Sequence, residues 1–269
     1  MLARGIVIAL VQLALGSHDG KLRVVVAGDV GYGTERVAAG IAKIGSIDAI
    51  IIPGDNVYPC GVQSKDDPRW RVLAPLTRFN VPLFPVLGNH DYCGNAEAEI
   101  NAAVPNWDFP AKSYSIRSDV AEFVMIDTQP YIGGGELPAI TFTSDDRWRI
   151  VVGHHPVISS GYHGYFPRRD VQRMRRLLPL LQRTHVDLYI SGHDHHQELV
   201  DGKPRFLISG AGSEPVPPIL LRNATLFPAN APFREPYGFT LLEITRDELA
   251  ITFYDEHAHK RGGPILMKR

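Results

Sequence analysis

The sequence predicts a single α/β domain built on one large mixed sheet, or on two stacked sheets, with helices outside. Three observations predict it. Short continuous apolar runs recur along the chain and end in glycine, as strands buried on both faces do. The first two runs flank an amphipathic helical stretch and so form a βαβ unit, for which a parallel pair with a right-handed crossover is strongly favoured. The last runs stand close together, as in a meander. No internal repeat or low-complexity linker divides residues 21–269, so they read as one domain.

"LRVVVAGD" from Leu22 is the first buried strand. In "TERVAAGIAKIG" Val37, Ile41 and Ile44 recur at helical spacing, with Thr34 as N-cap and Gly45 as stop. "IDAIIIPGD" is the second strand, and Val81 to Leu87 the third. "SYSIRS" and "AEFVMIDT" read as a hairpin pair, and "RWRIVVGHHP" and "VDLYISGHDH" as further short strands. Val171, Met174, Leu178 and Leu181 mark one face of a helix from Asp170 to Arg183. "RFLISGAG", "FTLLEIT" and "LAITFYDE" complete the set, the last two as the meander.

Composition bounds the rest. With 269 residues, 44% hydrophobic and 21% charged, the chain can bury a sizeable core. Lysine plus arginine (28) nearly balances aspartate plus glutamate (29), so no global field points to nucleic acid or to an anionic membrane. Specificity must come from a local site. Residues 1–16 carry Arg4, an apolar stretch from Ile6 to Leu15, and the small residues Ala14 and Gly16. That is the layout of a secretory signal peptide, too short for a membrane span; the alternative is an N-terminal core strand or helix. The expectation is a mature protein that is secreted, periplasmic or otherwise extracytoplasmic, monomeric, and without stable membrane association. Of the two cysteines, Cys60 and Cys93, an exported protein permits one disulfide, and two buried thiols are the other reading.

The strand ends are the informative part. Glycine-led turns stand at 28–31 (GDVG), 54–58 (GDNVY), 88–91 (GNHD), 153–156 (GHHP) and 192–195 (GHDH). In open α/β sheets the loops at the carboxyl ends of strands converge on one crevice. These would supply Asp29, Asp55, Tyr58, Asn89, His154, His193 and His195. Carboxylate, amide, phenolate and imidazole without thiolate suit iron, manganese or zinc. Seven groups exceed what one ion needs, so two metals sharing a carboxylate are expected, with Asp55 as the natural bridge. Any one turn alone reads as an Asx turn or a satisfied histidine; five in order do not.

The ordered set resembles the calcineurin-like metallophosphoesterase superfamily, and Tyr58, three residues after Asp55, narrows the resemblance to purple acid phosphatases of the small, tartrate-resistant type. "GVQ" after the second motif, "WDFP" at 107–110 and "SGAG" at 209–212 extend it over essentially the whole chain after the leader. The resemblance implies a β-sandwich of two mixed sheets flanked by helices in αββα layers. It implies that Asp29, Tyr58 and His195 hold Fe(III), that Asn89, His154 and His193 hold a second divalent metal (Fe, Zn or Mn), and that Asp55 bridges. His90 is implied as the histidine that contacts phosphate, and His163 in "YHGYFP" as the second catalytic histidine.

The expected reaction is hydrolysis of a phosphate monoester by in-line attack of metal-bound hydroxide. Two cations offset the dianion's repulsion and lower the pKa of water, and an imidazole, protonated below about pH 6.5, serves the leaving alkoxide. An acidic optimum is the consequence. The substrate is a small phosphomonoester, with a phosphoprotein as the larger form. Two alternatives stand beside this: a phosphodiesterase acting on nucleotide or phospholipid diesters, against which Tyr58 speaks, and a non-catalytic metal-binding protein, whose mark would be a lost ligand or a lost His90.

Departures from the family pattern are His155, where small members commonly have tyrosine, His196, where they commonly have asparagine, and the segment 128–147, with three consecutive glycines in place of an amphipathic helix. The two histidines are expected to tune the site, and the segment to cover one patch of sheet differently or leave it exposed. Arg168, Arg169, Arg173, Arg175 and Arg176 read as solvated charge; the functional version has Arg168 or Arg169 steering phosphate toward the metals.

Overall fold

A computed structural model describes residues 12–16, 20–136, 138–144, 146–165, 169–218, 225–227 and 236–269. Among them two mixed sheets form. The larger runs in the order β1 (Gln12–Ala14), β5 (Tyr114–Arg117), β6 (Ala121–Met125), β7 (Trp148–Val152), β8 (Leu188–Ser191), β10 (Arg205–Ser209), β9 (Gln197–Val200), β11 (Thr225–Phe227). The smaller runs β14 (Lys260–Lys268), β13 (Glu248–Asp255), β12 (Gly238–Ile244), β2 (Leu22–Val26), β3 (Ala49–Ile52), β4 (Leu83–Pro85). The βαβ expectation holds: β2 and β3 pair in parallel, Val25 opposite Ile50, with the helix Thr34–Ile41 between them.

Strand periodicity explains the layering. Along β6, β7 and β8 alternate residues belong to two different cores. Phe123, Met125, Ile150, Val152, Leu188 and Ile190 join β2, β3 and β12 in the core between the sheets, while Val124, Val151 and Tyr189 point the other way, to Met174, Leu177 and Leu181. A period of two puts successive side chains on opposite faces, so a sheet covered on both sides needs an unbroken apolar run. The outer helices supply the second cover, which gives the αββα order.

Several boundaries differ from expectation. Thr34 is the first helical residue and not the N-cap; Gly33 caps, and Thr34 Oγ1 donates to Val30 O at 2.6 Å. That helix stops at Ile41, before Gly45. The third strand spans only Leu83–Pro85. The helix expected over 170–183 is two, Arg169–Arg175 and Leu178–Arg183, because Pro179 cannot continue the first one's hydrogen bonding and suits the first turn of the second.

The segment 128–147 does cover the sheet, by other means than an amphipathic helix. A single turn, Gln129–Ile132, and buried Ile140 bring Tyr131 and Ile140 into the outer core with Met174. Tyr131 Oη donates to Arg173 O at 2.7 Å, and the Arg173 guanidinium donates to Ile132 O. Arg173 is thus structural, while Arg175 and Arg176 are exposed. Arg168 and the side chain of Arg169 lie outside the described residues.

Cys60 and Cys93 form a disulfide with Cα atoms 4.9 Å apart, tying the GDNVY loop to the GNHD turn. A closed loop of this length stabilises by roughly 3–4 kcal/mol. The leader expected over 1–16 lies mostly outside the described residues; its end, Gln12–Ala14, pairs in parallel with the edge strand β5. No described helix is long and apolar enough to cross a membrane.

Candidate metal centre

The carboxyl ends of β2, β3 and β4 in one sheet meet those of β7 and β8 in the other. Backbone hydrogen bonds stitch the turns together: Asp29 N to Gly54 O at 3.0 Å, Gly28 N to Ser209 O at 2.8 Å, and Gly192 N to His154 O at 3.1 Å. Asp29, Asp55 and His193 all adopt left-handed backbone conformations, with φ of 56°, 53° and 68°. Non-glycine residues persist there only when their surroundings over-determine them. Here the constraint is mutual: His193 N donates to Asp29 Oδ2 at 3.0 Å, and His90 N donates to Asp55 Oδ1 at 2.9 Å.

All seven expected ligands come together, and they divide into two groups. In the first, Tyr58 Oη lies 3.3 Å from Asp29 Oδ1 and 3.2 Å from His195 Nε2, and His195 Nε2 is 3.6 Å from Asp29 Oδ1. In the second, His154 Nε2 lies 3.1 Å from both Asn89 Oδ1 and His193 Nδ1. Asp55 Oδ2 stands between them, 3.0 Å from Tyr58 Oη and 3.4 Å from His154 Nε2. His90 and His163 sit at the rim. His90 Nδ1 lies 2.5 Å from Pro59 O, so its Nε2, 3.9 Å from Asp55 Oδ2, is the nitrogen turned to the site.

Burial and close neighbouring charges set the electrostatics of this cluster. Burial drives the Asp29 carboxyl well above its ordinary range. Burial works the same way on Asp55, but His154, then His90 and His193, outweigh it and hold Asp55 low. Burial, reinforced by Asp29 and Asp55, pushes the Tyr58 phenol far up. Burial lowers His193 to about 4 and also lowers His195. His154 alone rises, to about 9, because Asp55 overcomes burial. Its Nδ1 is already committed to Pro53 O at 2.9 Å, so the second proton would sit on Nε2, among Asn89, His193 and Asp55. A proton there stands where a cation would.

The residues therefore fit two metal ions. Two buried carboxylates, a phenol, an amide oxygen and three imidazoles converge through atoms that all bear lone pairs, and no lysine or arginine among the described residues takes part in these contacts. Oxygen and imidazole donors of this kind suit iron, zinc or manganese. Close backbone approach is what makes the packing achievable: a Cβ on Gly88 would lie 2.1 Å from Asp55 Oδ1, and one on Gly54 2.4 Å from His154 Nδ1.

A second layer holds the first, and most of it is not legible in sequence. His155 is buried; its Nδ1 lies 2.7 Å from Thr128 Oγ1, and its ring lies against His154 and His193. Burial keeps it neutral. His196 Nε2 lies 3.2 Å from Glu198 Oε2. Asp194, inside GHDH, accepts from Ser159 Oγ at 2.5 Å and from the backbone N of His163 at 3.0 Å, and Glu198 accepts from Ser160 N and Oγ at 2.8 and 2.5 Å. Two buried carboxylates thus pin the loop that carries His163. On the other side Asp91 accepts from Gly88 N at 2.7 Å and Asn56 N at 2.9 Å, while Asn56 Nδ2 donates to Glu99 Oε2 at 3.0 Å.

Comparison with known proteins agrees with this geometry. The calcineurin-like phosphoesterase profile matches residues 22–197. Purple acid phosphatase 4 of Arabidopsis thaliana is 30% identical over 91% of this chain and 84% of its own length. Tartrate-resistant acid phosphatase type 5 of Oryctolagus cuniculus is 27% identical over 92% and 91%. Among solved structures, GAP50, the anchor in the inner membrane complex of Plasmodium, superposes with a TM-score of 0.70 at 25% identity, over 92% of this chain and 88% of that one. The chain belongs to the calcineurin-like phosphoesterase family and, within it, to the purple acid phosphatases.

Proposed function

We propose that this protein is a dinuclear-metal acid phosphatase that hydrolyses phosphate monoesters, with Asp29, Tyr58 and His195 holding iron(III), Asn89, His154 and His193 holding a divalent ion (iron, zinc or manganese), and Asp55 shared. The observation that carries the reading is the pair of donor groups meeting on one oxygen of Asp55. Bound there, two cations supply positive charge that lowers the pKa of water and offsets the negative charge of the phosphate dianion. The chain's own part is orientation and proton handling. Pro59 O can only accept a hydrogen bond, so His90 keeps its proton on Nδ1, and Nε2 is left to contact phosphate and, once protonated, to donate. His163, on a loop tied to Asp194 and Glu198, serves the leaving alkoxide.

The substrate in this reading is a small phosphomonoester or a phosphoprotein side chain, and the mature chain is an exported monomer. An anchoring role like that of the Plasmodium protein would need no such donor set, and here all seven donors and His90 are retained. Chelator-free purification, metal analysis, and turnover of p-nitrophenyl phosphate against its diester test the proposal. Two metal ions per chain and monoester preference support it; diester preference at neutral pH favours the phosphodiesterase.

A further inference from the structure

Two of the three imidazoles in the donor set have their outer nitrogen on a backbone carbonyl. His154 Nδ1 lies 2.9 Å from Pro53 O, and His195 Nδ1 lies 3.3 Å from Glu214 O. A carbonyl only accepts, so each ring carries its proton there and presents its other nitrogen inward. Among the described residues His193 has no such carbonyl. Its Nδ1 faces His154, while its Nε2 is buried and has no hydrogen-bond partner among them. A carboxylate faces that nitrogen: Asp170 Oδ2, 3.9 Å away.

The same oxygen lies 3.7 Å from His163 Nδ1, and the rings of His163 and His193 lie against each other with centroids 3.8 Å apart. One oxygen thus faces two imidazoles, the first from the GHDH turn and the second from the rim loop. Asp170 is the only carboxylate between Asp146 and Asp187, in a stretch otherwise crowded with arginine. Both separations are ion-pair spacings, and a side-chain rotation of about 1 Å brings either to hydrogen-bond length.

We infer that Asp170 is a positioning residue for both histidines: it takes the outer N–H of His193, as Pro53 and Glu214 carbonyls take those of the other two rings, and holds His163 beside it. A carboxylate in that place fixes the ring's tautomer and orientation and raises the basicity of the inward nitrogen. The inference rests on the roles proposed above for His193 and His163.

The test uses the full chain with Asp170→Asn and Asp170→Glu, both loaded with zinc. Metal retained per chain against graded chelator, kcat, KM and thermal denaturation are measured. Asp170 is partly exposed on a surface helix, so the fold is expected to survive. Asp170→Asn is expected to weaken one of the two metal equivalents by 10–100-fold, about the loss seen for such outer partners. It should lower kcat with KM within about twofold, and Asp170→Glu should recover much of both. Unchanged metal retention and kcat in Asp170→Asn would overturn the inference. So would a third zinc equivalent in the wild type that Asp170→Asn loses, since Asp170 would then be a ligand itself. A wild-type chain that binds fewer than two ions, or turns over no monoester, would instead overturn the proposed function.

Discussion

Oδ2 of Asp55 lies 3.0 Å from the phenol oxygen of Tyr58, and the same atom is 3.4 Å from Nε2 of His154. A single side chain therefore couples two donor groups that draw on both sheets. Asp55→Asn should weaken both metal equivalents together, by ~100-fold or more, whereas loss of a residue in one group weakens mainly one. Metal titration of Asp55→Asn beside Asn89→Ala checks this.

Metal uptake should depend on pH in a stated direction. His154 in the metal-free site holds its proton up to about 9, and a ligating imidazole must be neutral. Binding at the second group must release that proton, so apparent affinity should rise as pH increases toward 9. Calorimetric titration in two buffers of different ionisation enthalpy would show the proton release; pH-independent affinity would contradict it.

Gly88→Ala should damage the site without removing a ligand. The added methyl would stand 2.1 Å from Asp55 Oδ1 and 2.5 Å from Asp55 N, closer than any real contact, so the Asp55 carboxylate must move. The expected result is a destabilised fold, by about 1–3 kcal/mol, together with loss of metal. Denaturant melts and metal analysis of the variant check both parts.

Glu99 is wholly buried, and burial raises its carboxyl from 4.5 to about 7. The folded state then keeps a proton that the unfolded state has released. Stability contributed at low pH is lost as pH rises from 4.5 through 7, and is flat above. Glu99→Gln should therefore be near neutral at pH 5 and stabilising at pH 8, on the order of 3 kcal/mol. Denaturation of the metal-free protein at both pH values measures it.

The strand ends are legible in the sequence because each carries its own local signature, a buried apolar run, a glycine and then a donor residue; Asp29, Asp55, Asn89, His154 and His193 all come from such turns. Asp194 stands inside one of those motifs, but its role is to accept from the backbone N of His163, 31 residues away, and no spacing rule shows that. Asp170 is hidden by its arginine neighbours. β9 escapes a reading by apolar runs because Gln197 and Glu198 are polar yet buried: Gln197 Nε2 donates to Phe239 O and Tyr254 O, partners that exist only after the sheets have packed. β14 escapes it because Gly262, Gly263 and Pro264 interrupt its pattern; Phe253 opposite Gly262 shows that the ladder tolerates them with an irregular register.

The proposed metal pair has Tyr58 on the trivalent ion. The visible spectrum of chelator-free protein, recorded for wild type and Tyr58→Phe alongside p-nitrophenyl phosphate turnover from pH 4 to 9, tests it most directly. The expected result is a broad charge-transfer band in the wild type that the variant loses, with turnover in the acid range. A colourless, fully metallated wild type that prefers diesters at neutral pH would contradict it.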